Sequence, residues 1–494
     1  MQMSHGESNR GSGGLPVEAW YAAGVLAALF SAGAFVEAAR LSSLRDASVW
    51  GHLRMGAWIL ANRSVPHAGI YSQLANMPWR DLSWGYDAIL ALVYKILGLR
   101  VVPAMEMMFR ISATAVLFLL TIRRGKLLSA VMVSAVGIYA LSSMGPSSTA
   151  VSVVLFGLTL FLLLEWEAEP ASRVKYALPV LIVVWANLDA GFIYGIMVLA
   201  VFATSAFASQ TSGKRDLNSK NMARDAAVMS AVCLVVSGIT PYGYASYPAF
   251  WQMETSAANL NIPGYSAMGF RQALDYVVLL LGMGGFLALG LRRSREIFLI
   301  AVLSGSAALA FHAQRENWLL IVSSVAVIGQ MLSDAPEPVW ATALQIFGRR
   351  RILMALFTLV LSAFLVLMIR NPRDLTTRVG QAFPVKACDY IRNERLPEPL
   401  FNAYEWGAFV MWYLPEYPVA IDARRGLYAE DLESDYFKVM KVDAPYQTLP
   451  AMKEARTILL PKTNVLAGGL KDVAGFRVAF EDDVAIVLLQ SAKE

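Results

Sequence analysis

The sequence has few of the residues that build disulfide frameworks or metal clusters. It contains 2 cysteines and 4 histidines in 494 residues. Cys233 lies in an apolar run, whereas Cys388 lies in a polar segment. Two thiols in such different surroundings do not predict a disulfide, and so few histidines do not predict a histidine metal site. We expect both cysteines to remain free thiols.

Charged residues are also scarce. They make up 16% of the chain, whereas hydrophobic residues make up 56% and the mean hydropathy is +0.49. A soluble core of this length cannot bury so much apolar surface, so the sequence predicts a polytopic α-helical protein embedded in a lipid bilayer. The net charge of +5 does not indicate nucleic acid as a partner, because the basic residues lie in short loops where they orient membrane helices.

Long apolar runs predict the membrane-crossing helices. About 20 apolar residues cross a bilayer, and roughly eleven segments are candidates by this measure. They are residues 20–37, 84–97, 102–122, 127–143, 150–164, 176–207, 226–239, 276–291, 297–311, 318–332 and 352–369. The second segment is short, and we expect it to be tilted or partly interfacial.

Clusters of basic residues predict the orientation, since basic residues beside membrane helices are retained in the cytoplasm. Three loops agree in parity; they carry Arg292, Arg293 and Arg295, then Arg349, Arg350 and Arg351, then Lys214, Arg215, Lys220 and Arg224. Counting from them predicts a cytoplasmic N-terminus, an outer loop at 41–83 and an extracytoplasmic C-terminus. A fourth loop disagrees, because this count places Arg123, Arg124 and Lys126 outside.

Composition divides the chain into three parts. Residues 1–16 are rich in serine and glycine and predict a disordered cytoplasmic tail, which an uncleaved membrane anchor follows. Residues 17–370 form the predicted transmembrane domain. Residues 371–494 carry many prolines and short alternating elements, which predict a soluble α/β domain. Its predicted strands are 418–421, 457–460, 477–480 and 485–489, and its predicted helices are 384–393, 405–413, 430–439 and 465–472.

The outer loop contains one amphipathic segment. Trp50, Leu53, Ala57 and Leu60 recur at helical spacing within residues 46–61. This spacing predicts a helix on the membrane surface. Two interpretations are compatible: the helix packs on neighbouring spans, or it shapes a site.

Polar residues near a membrane are costly and tend to gather at a functional cavity. The predicted topology places several on the outer side, and Arg110 lies further inward. The outer candidates are Asp46, His52, Asp81, Asn187, Asp189, Tyr242, His312, Arg315, Asp422 and Arg424. Structural roles are the alternatives: Asp46 can cap the surface helix, Asn187 and Asp189 can hydrogen-bond between helices, and Asp422 can pair with Arg424.

These residues lie in motifs that resemble bacterial GT-C-like membrane proteins, the superfamily of glycosyltransferases that use polyprenyl-phosphate sugars. The motifs in the outer loop are Asp46, Trp50, His52, Leu53, Gly56, Trp58-Ile59, Pro66-His67, Ser72, Pro78-Trp79 and Trp84. Those further along are Trp185-Ala186-Asn187, Pro241-Tyr242-Gly243, Arg315, Phe401-Asn402-Ala403-Tyr404, Trp406-Gly407, Asp422-Ala423-Arg424 and Tyr428. The resemblance implies sugar transfer to a glycan, lipid or protein acceptor on the outer face of a bacterial inner membrane.

The resemblance implies that Asp46 is the catalytic carboxylate, sometimes with a divalent metal bound there. His52, Arg110 and Arg315 would form the polar shell. The sequence departs from the family pattern at Ser48, Gly69, Ser83 and Asp189, and a divalent cation needs more oxygen ligands than Asp46 and Asp81 supply. The alternative is therefore a catalytically degenerate membrane component of polysaccharide assembly or export. An ion-coupled transporter ranks last, because the sequence shows no inverted repeat.

Overall fold

The computed structural model describes residues 17–124, 126–145, 147–211, 217–256, 259, 262, 264–291, 296–332 and 349–491. The predicted tail 1–16 lies outside the described residues. So do Lys214 and Arg215, and the cluster of Arg292, Arg293 and Arg295.

The described residues from Val17 to Ile369 form a helical bundle. Its helices are α1 Val17–Arg40, α2 Ser48–Asn62, α3 Trp84–Leu97, α4 Val101–Ile122, α5 Leu127–Ala140, α6 Ser148–Ala168, α7 Ala177–Leu188, α8 Phe192–Thr211, α9 Leu217–Val236, α10 Ser246–Thr255, α11 Ala273–Leu291, α12 Ile297–His312, α13 Asn317–Met331 and α14 Arg349–Ile369. The surface helix predicted at 46–61 corresponds to α2.

Several of these helices can cross a bilayer. Among the described residues, five helical stretches are long and apolar enough: Ala23–Arg40, Trp84–Ile122, Ser148–Ala168, Phe192–Gln210 and Ala273–Leu291. Shorter apolar helices occur at Leu127–Ser143, Ile297–His312 and Phe357–Ile369. The chain is therefore a multi-pass membrane protein, as its composition predicts.

The prediction of one span over 176–207 is wrong, because two helices occupy it. The side chain of Asp189 accepts a hydrogen bond from the backbone N–H of Gly191 at 2.8 Å and closes a turn between α7 and α8. A Cβ on Gly191 would overlap the hydroxyl of Ser152, so the turn needs glycine. The apolar sequence on both sides, with no proline next to the turn, concealed this break.

Contacts with α9 fix the directions of α7 and α8. Lys175, just before α7, pairs with Asp225 in the first half of α9 at 3.0 Å. At the other end, the amide of Asn187 donates to the carbonyl of Ile239 at 2.8 Å. Since α7 runs parallel to α9, and α8 and α9 are consecutive packed helices, α7 and α8 form an antiparallel hairpin with Asp189 in its turn.

The segment 84–97 is helical, but it does not join the two ends of the bundle. Helix α3 packs lengthwise on α2, where a Cβ on Gly56 would overlap the carbonyl of Asp87. Gly98, with φ of +58°, ends the helix. Arg100 then donates to the carbonyl of Arg370 at 3.0 Å, where α14 meets the C-terminal domain. That the segment is tilted or partly interfacial stays a prediction.

The C-terminal domain contains a four-stranded sheet. Its elements are α15 Pro372–Ala382, α16 Val385–Asn393, β1 Leu400–Asn402, α17 Tyr404–Tyr413, α18 Glu430–Met440, α19 Pro450–Glu454, β2 Thr457–Pro461, α20 Val465–Leu470, β3 Phe476–Glu481 and β4 Ala485–Gln490. The strand order is β1-β2-β4-β3, with β1 and β2 parallel and the other pairs antiparallel. The predicted hairpin is the β3–β4 pair.

The strand predictions are wrong at two places: one predicted strand is not in the sheet, and one strand of the sheet was not predicted. Residues 418–421 do not join this sheet; Val419 instead forms a backbone bridge with Ser72 of the outer loop. The three-residue strand β1 was missed because it is short and lies after a proline-rich turn. Its side chains are buried, and it pairs in register with β2.

The C-terminal domain docks on the outer loop and α2. Gln73 donates from its backbone N–H to the carbonyl of Val419 at 2.9 Å, and Val419 donates back to Tyr71 at 3.0 Å. Beneath this bridge, the buried ring of Trp50 packs edge-on against Phe409 of α17, with 5.3 Å between ring centroids. The domain therefore covers the end of the bundle where the outer loop lies.

Candidate functional site

A cavity of about 680 Å³ lies where the bundle meets the C-terminal domain. Its walls come from the start of α2, from residues 79–87, and from the connections α5–α6, α7–α8, α9–α11 and α12–α13, with residues 408–425 of the C-terminal domain. Because these connections line one cavity, they lie at one end of the bundle. Asp46 and the C-terminal domain therefore share that end.

Four aspartates of the cavity use the same local turn. In each, a side-chain oxygen accepts a hydrogen bond from the backbone N–H two residues later, and the pairs are Asp46–Ser48 at 2.9 Å, Asp81–Ser83 at 3.1 Å, Asp189–Gly191 at 2.8 Å and Asp422–Arg424 at 2.8 Å. Such turns hold the carboxylates rigidly without help from distant side chains. The spacing is visible in the sequence.

Asp46 is half-buried and lines the cavity. Its Oδ1 also accepts the hydroxyl proton of Ser48 at 2.7 Å, and this contact places the side chain at the start of α2. A Cβ on Gly145 would overlap Oδ2 of Asp46. Asp46 therefore has both roles that the sequence suggests: it supports the start of the helix, and it faces the cavity.

His52 and Asp87 form a close pair. Nδ1 of His52 lies 2.6 Å from Oδ1 of the buried Asp87, and the imidazole packs edge-on against Tyr86. Burial lowers the pKa of His52, while the nearby Asp81, Asp46 and Asp189 oppose that shift. The imidazole is therefore neutral at neutral pH and can accept a proton.

Asp81 is buried beside this pair. Burial and the adjacent Asp87 carboxylate raise its pKa well above the ordinary value, and its Oδ2 accepts from no group among the described residues. Both observations indicate a protonated carboxyl. Its backbone N–H donates to the hydroxyl of Tyr242 at 3.2 Å.

Asp189 is also buried, and its Oδ2 accepts the hydroxyl proton of Ser152 at 2.5 Å. The same hydroxyl accepts from the indole N–H of Trp185 at 2.7 Å. Together with Asp46, Asp81 and Asp87, Asp189 makes up the carboxylate cluster of the cavity.

Two arginines face a different part of the cavity. The guanidinium carbons of Arg315 and Arg425 lie 4.5 and 4.7 Å from the ring centroid of Tyr265, so both cations stack on one aromatic ring. Arg425 also pairs with Glu254 at 3.0 Å, and Arg315 pairs with Glu316 at 2.9 Å. We call Arg315, Arg425 and Tyr265 the arginine cluster.

Asp422 and Arg424 form a separate, buried pair. Nη2 of Arg424 lies 2.7 Å from Oδ2 of Asp422, to which Tyr428 also donates at 2.7 Å. Nη1 of Arg424 donates to the carbonyl of Ile70 at 2.6 Å. All three guanidinium nitrogens thus have partners, and Arg424 ties the C-terminal domain to the outer loop.

Four of the sequence candidates do not line the cavity. Arg110 pairs with Glu106 at 2.6 Å, and Asn187 holds α7 against the residues after α9. Tyr242 donates to the carbonyl of Pro66 at 2.7 Å and so supports the segment that carries Asp81. His312 is exposed at the end of α12.

Sequence reasoning missed Asp87, Glu254, Tyr265 and Arg425. Asp87 lies in an apolar helical run. That position was a usable signal in the sequence, because an isolated acid in such a run is costly. The other three gave no local signal, since their contacts join segments that are distant in sequence.

The residues present do not fit a divalent metal. Among the described residues, no group of three or more histidines, cysteines, aspartates or glutamates is arranged to hold one. Ser48 and Ser83 stand where further acids were expected, and each donates its backbone N–H to the preceding carboxylate. One oxygen of each of these carboxylates thus already accepts a hydrogen bond, which a hard cation bound to that oxygen would have to displace.

Comparisons with known proteins identify the fold. No family model and no curated protein matches the sequence. A solved structure that is similar is the archaeal oligosaccharyltransferase AglB from Archaeoglobus fulgidus, in complex with an inhibitory peptide and a dolichol-phosphate. The TM-score is 0.56 at 11% sequence identity, and the match covers 90% of this chain and 69% of AglB. The chain therefore has a fold similar to that of AglB.

Proposed function

We propose that this protein is an integral membrane glycosyltransferase of the GT-C type, which transfers a sugar from a polyprenyl-phosphate donor to a glycan, lipid or protein acceptor. One observation carries the proposal: a cavity at one end of an apolar bundle holds both a carboxylate cluster and an arginine cluster. Carboxylates stabilise positive charge at a reacting sugar carbon, and arginines bind phosphate. The fold of AglB, whose structure contains a lipid phosphate and a peptide, supports it.

Each cluster has a role in this proposal. Asp46 is the catalytic carboxylate, which activates the acceptor or stabilises the reacting donor. Arg315 and Arg425 bind the donor phosphate, because stacking on Tyr265 orients both guanidinium groups without using all of their N–H donors. His52, Asp81 and Asp189 complete the site, and Asp422 and Arg424 hold the C-terminal domain over it.

We propose further that the cavity faces the extracytoplasmic side of a bacterial inner membrane. Arg123 contacts Glu165 and Gln330 near the ends of α6 and α13, and both of these helices begin at the cavity. The loop of Arg123, Arg124 and Lys126 thus lies at the far end of the bundle. Since α3 does not cross the bundle and α7 and α8 are two helices, the count of crossings changes. By the new count, this loop lies at the same end as the other basic loops, which supports a cytoplasmic far end.

The test is transfer by purified protein in vesicles. The donor is a radiolabelled polyprenyl-phosphate sugar pool, generated in membranes from nucleotide sugars. We expect transfer by the wild type and a loss of about 10²-fold or more in Asp46→Asn, the usual size of the loss when one catalytic group is removed. Asp483→Asn, an exposed aspartate of the β3–β4 turn, is the matched control. Undiminished transfer by Asp46→Asn contradicts the proposal.

A second candidate is a catalytically degenerate component of polysaccharide assembly or export. The serines at positions 48 and 83, which replace expected acids, favour it. Such a protein binds the labelled polyprenyl-phosphate sugar but releases no polyprenyl phosphate from it. Binding without turnover in the same vesicles selects this candidate.

A further inference from the structure

The cavity contains an unassigned histidine–aspartate pair. Nδ1 of His52 contacts Asp87 at 2.6 Å, and Asp87 is almost wholly buried. The carboxylate holds Nδ1 as the protonated nitrogen, so Nε2 is the basic atom. Among the described residues, Nε2 has no hydrogen-bond partner, and His52 lines the cavity. An imidazole that is oriented on one side and free on the other has the arrangement of a general base.

Asp46 is less suited to accept the proton. Its Oδ1 already accepts two hydrogen bonds from Ser48, through the backbone N–H and the hydroxyl. Those donors use the lone pairs of Oδ1 that a transferred proton would need. A carboxylate held in this way can stabilise positive charge at the anomeric carbon of a sugar throughout the reaction.

Asp81 sets the charge state of the pair. Its own proton lies beside Asp87, since the pKa of Asp81 is raised by burial and by that carboxylate. Burial raises the pKa of Asp87 as well, but the hydrogen bond with Asp81 opposes that shift, so Asp87 is the anion of the two carboxyls when they share one proton. The other ionisable groups that face His52 are Asp46 at the start of α2, Tyr86 of α3 and Asp189 of the α7–α8 turn.

We infer that His52, positioned by Asp87, is the general base of a metal-independent sugar transfer in this protein. The inference rests on the proposed function. The acceptor oxygen forms a bond to the anomeric carbon of the sugar and gives its proton to Nε2 of His52. The bond from that carbon to the phosphate oxygen breaks, and its electron pair leaves with polyprenyl phosphate. The imidazolium then returns its proton to solvent or to the released phosphate, so protons and electrons balance.

The first test separates the base from the donor site. In the vesicle assay, His52→Ala and Asp87→Asn are expected to lower kcat by about 10²- to 10⁴-fold, the range for general bases, with KM for the labelled donor unchanged. Added imidazole is expected to restore part of the transfer in His52→Ala only. The matched control is His67→Gln, because His67 lies in the same loop but outside the cavity.

The second test uses pH and chelation. Wild-type kcat is expected to fall with decreasing pH as His52 becomes protonated, and Asp87→Asn is expected to shift this limb to lower pH because the neighbouring anion is gone. Transfer is expected to persist in EDTA.

Three outcomes overturn the inference. The first is full kcat in His52→Ala. The second is a lower kcat together with a higher KM for the donor in His52→Ala, without rescue by imidazole. The third is transfer that EDTA abolishes and Mg²⁺ or Mn²⁺ restores. Absence of transfer by the wild type is a different result, because it rejects the proposed function and this inference with it.

Discussion

The carboxylate cluster and the arginine cluster share one cavity but are built in different ways. Three of the four carboxylates are held by an N–H two residues later in the chain. The arginines depend on long-range contacts: Arg315 follows α12, Arg425 belongs to the C-terminal domain, and Tyr265 lies between α10 and α11. The carboxylates are therefore a local property of the bundle, whereas the arginine cluster exists only when the C-terminal domain is docked.

The largest effect on transfer that can test this difference between the two clusters is expected from a substitution of Gly145. In Gly145→Ala, the added methyl group would overlap Oδ2 of Asp46 and displace the carboxylate from its turn. We expect transfer to fall about as far as in Asp46→Asn, by roughly 10²-fold or more, while donor binding by the arginine cluster persists. Parallel measurements of kcat and donor affinity check this.

Gly305→Ala is the matched control, since a Cβ there meets no atom within 4 Å. Full transfer by Gly145→Ala would show that Asp46 tolerates displacement, and it would remove the support for a catalytic carboxylate.

An intermediate effect is expected from the arginines. Arg315→Ala or Arg425→Ala should weaken donor binding by roughly tenfold or more, because a hydrogen bond to a charged group contributes about 1.5–3 kcal/mol, with little change in kcat. Glu254→Gln should act in the opposite direction. Glu254 pairs with Arg425 and competes with phosphate for it.

Donor affinity, measured by retention of labelled donor on vesicles that contain each variant, tests this prediction. Arg477→Ala is a suitable control, as Arg477 is an exposed residue of β3. Equal affinities in the wild type and all four variants would contradict a phosphate site at Tyr265.

The smallest effect concerns pH and stability. Asp81 has a folded-state pKa raised above the ordinary 3.8, so the folded protein binds the proton more tightly than the unfolded chain. Its contribution to stability is complete below that ordinary value and decreases as pH rises toward the raised pKa, by at most about 1.4 kcal/mol per pH unit. In Asp81→Asn this decline should be absent.

Melting temperatures of the wild type and Asp81→Asn between pH 5 and pH 9 measure the difference. The gap should move in favour of the variant as pH increases. A constant gap would indicate an ionised Asp81, and Asp483→Asn provides the baseline for an exposed carboxylate.

The sequence predicts those features of the fold and the site that depend on residues close together in the chain. Apolar runs predict a membrane bundle, helical spacing predicts α2, and the β3–β4 hairpin follows from two strand-like runs around a polar turn. Asp46, His52, Asp81 and Asp189 stand out because polar groups in or beside apolar runs are costly. Each of them lies at the cavity.

Other features could not be predicted, because their causes are tertiary. The α7–α8 break depends on the close approach of Gly191 to Ser152, and the path of α3 depends on its packing against Gly56 of α2. Neither contact leaves a periodic pattern. The same reason applies to Arg425 and Tyr265, which meet only through docking of the C-terminal domain.

The backbone bridge between Val419 and residues 71–73 has a consequence for separating the protein into parts. The carbonyl of Val419 accepts a hydrogen bond from the backbone of Gln73, and the N–H of Val419 donates to the carbonyl of Tyr71. Each backbone group thus has its partner in the other part of the protein. A bundle expressed without residues 371–494 would leave these groups without partners and would expose the ring of Trp50 to water. The C-terminal domain thus also stabilises the outer loop of the membrane domain. Deleting it would disturb that loop, so truncation is a poor way to learn what the C-terminal domain binds.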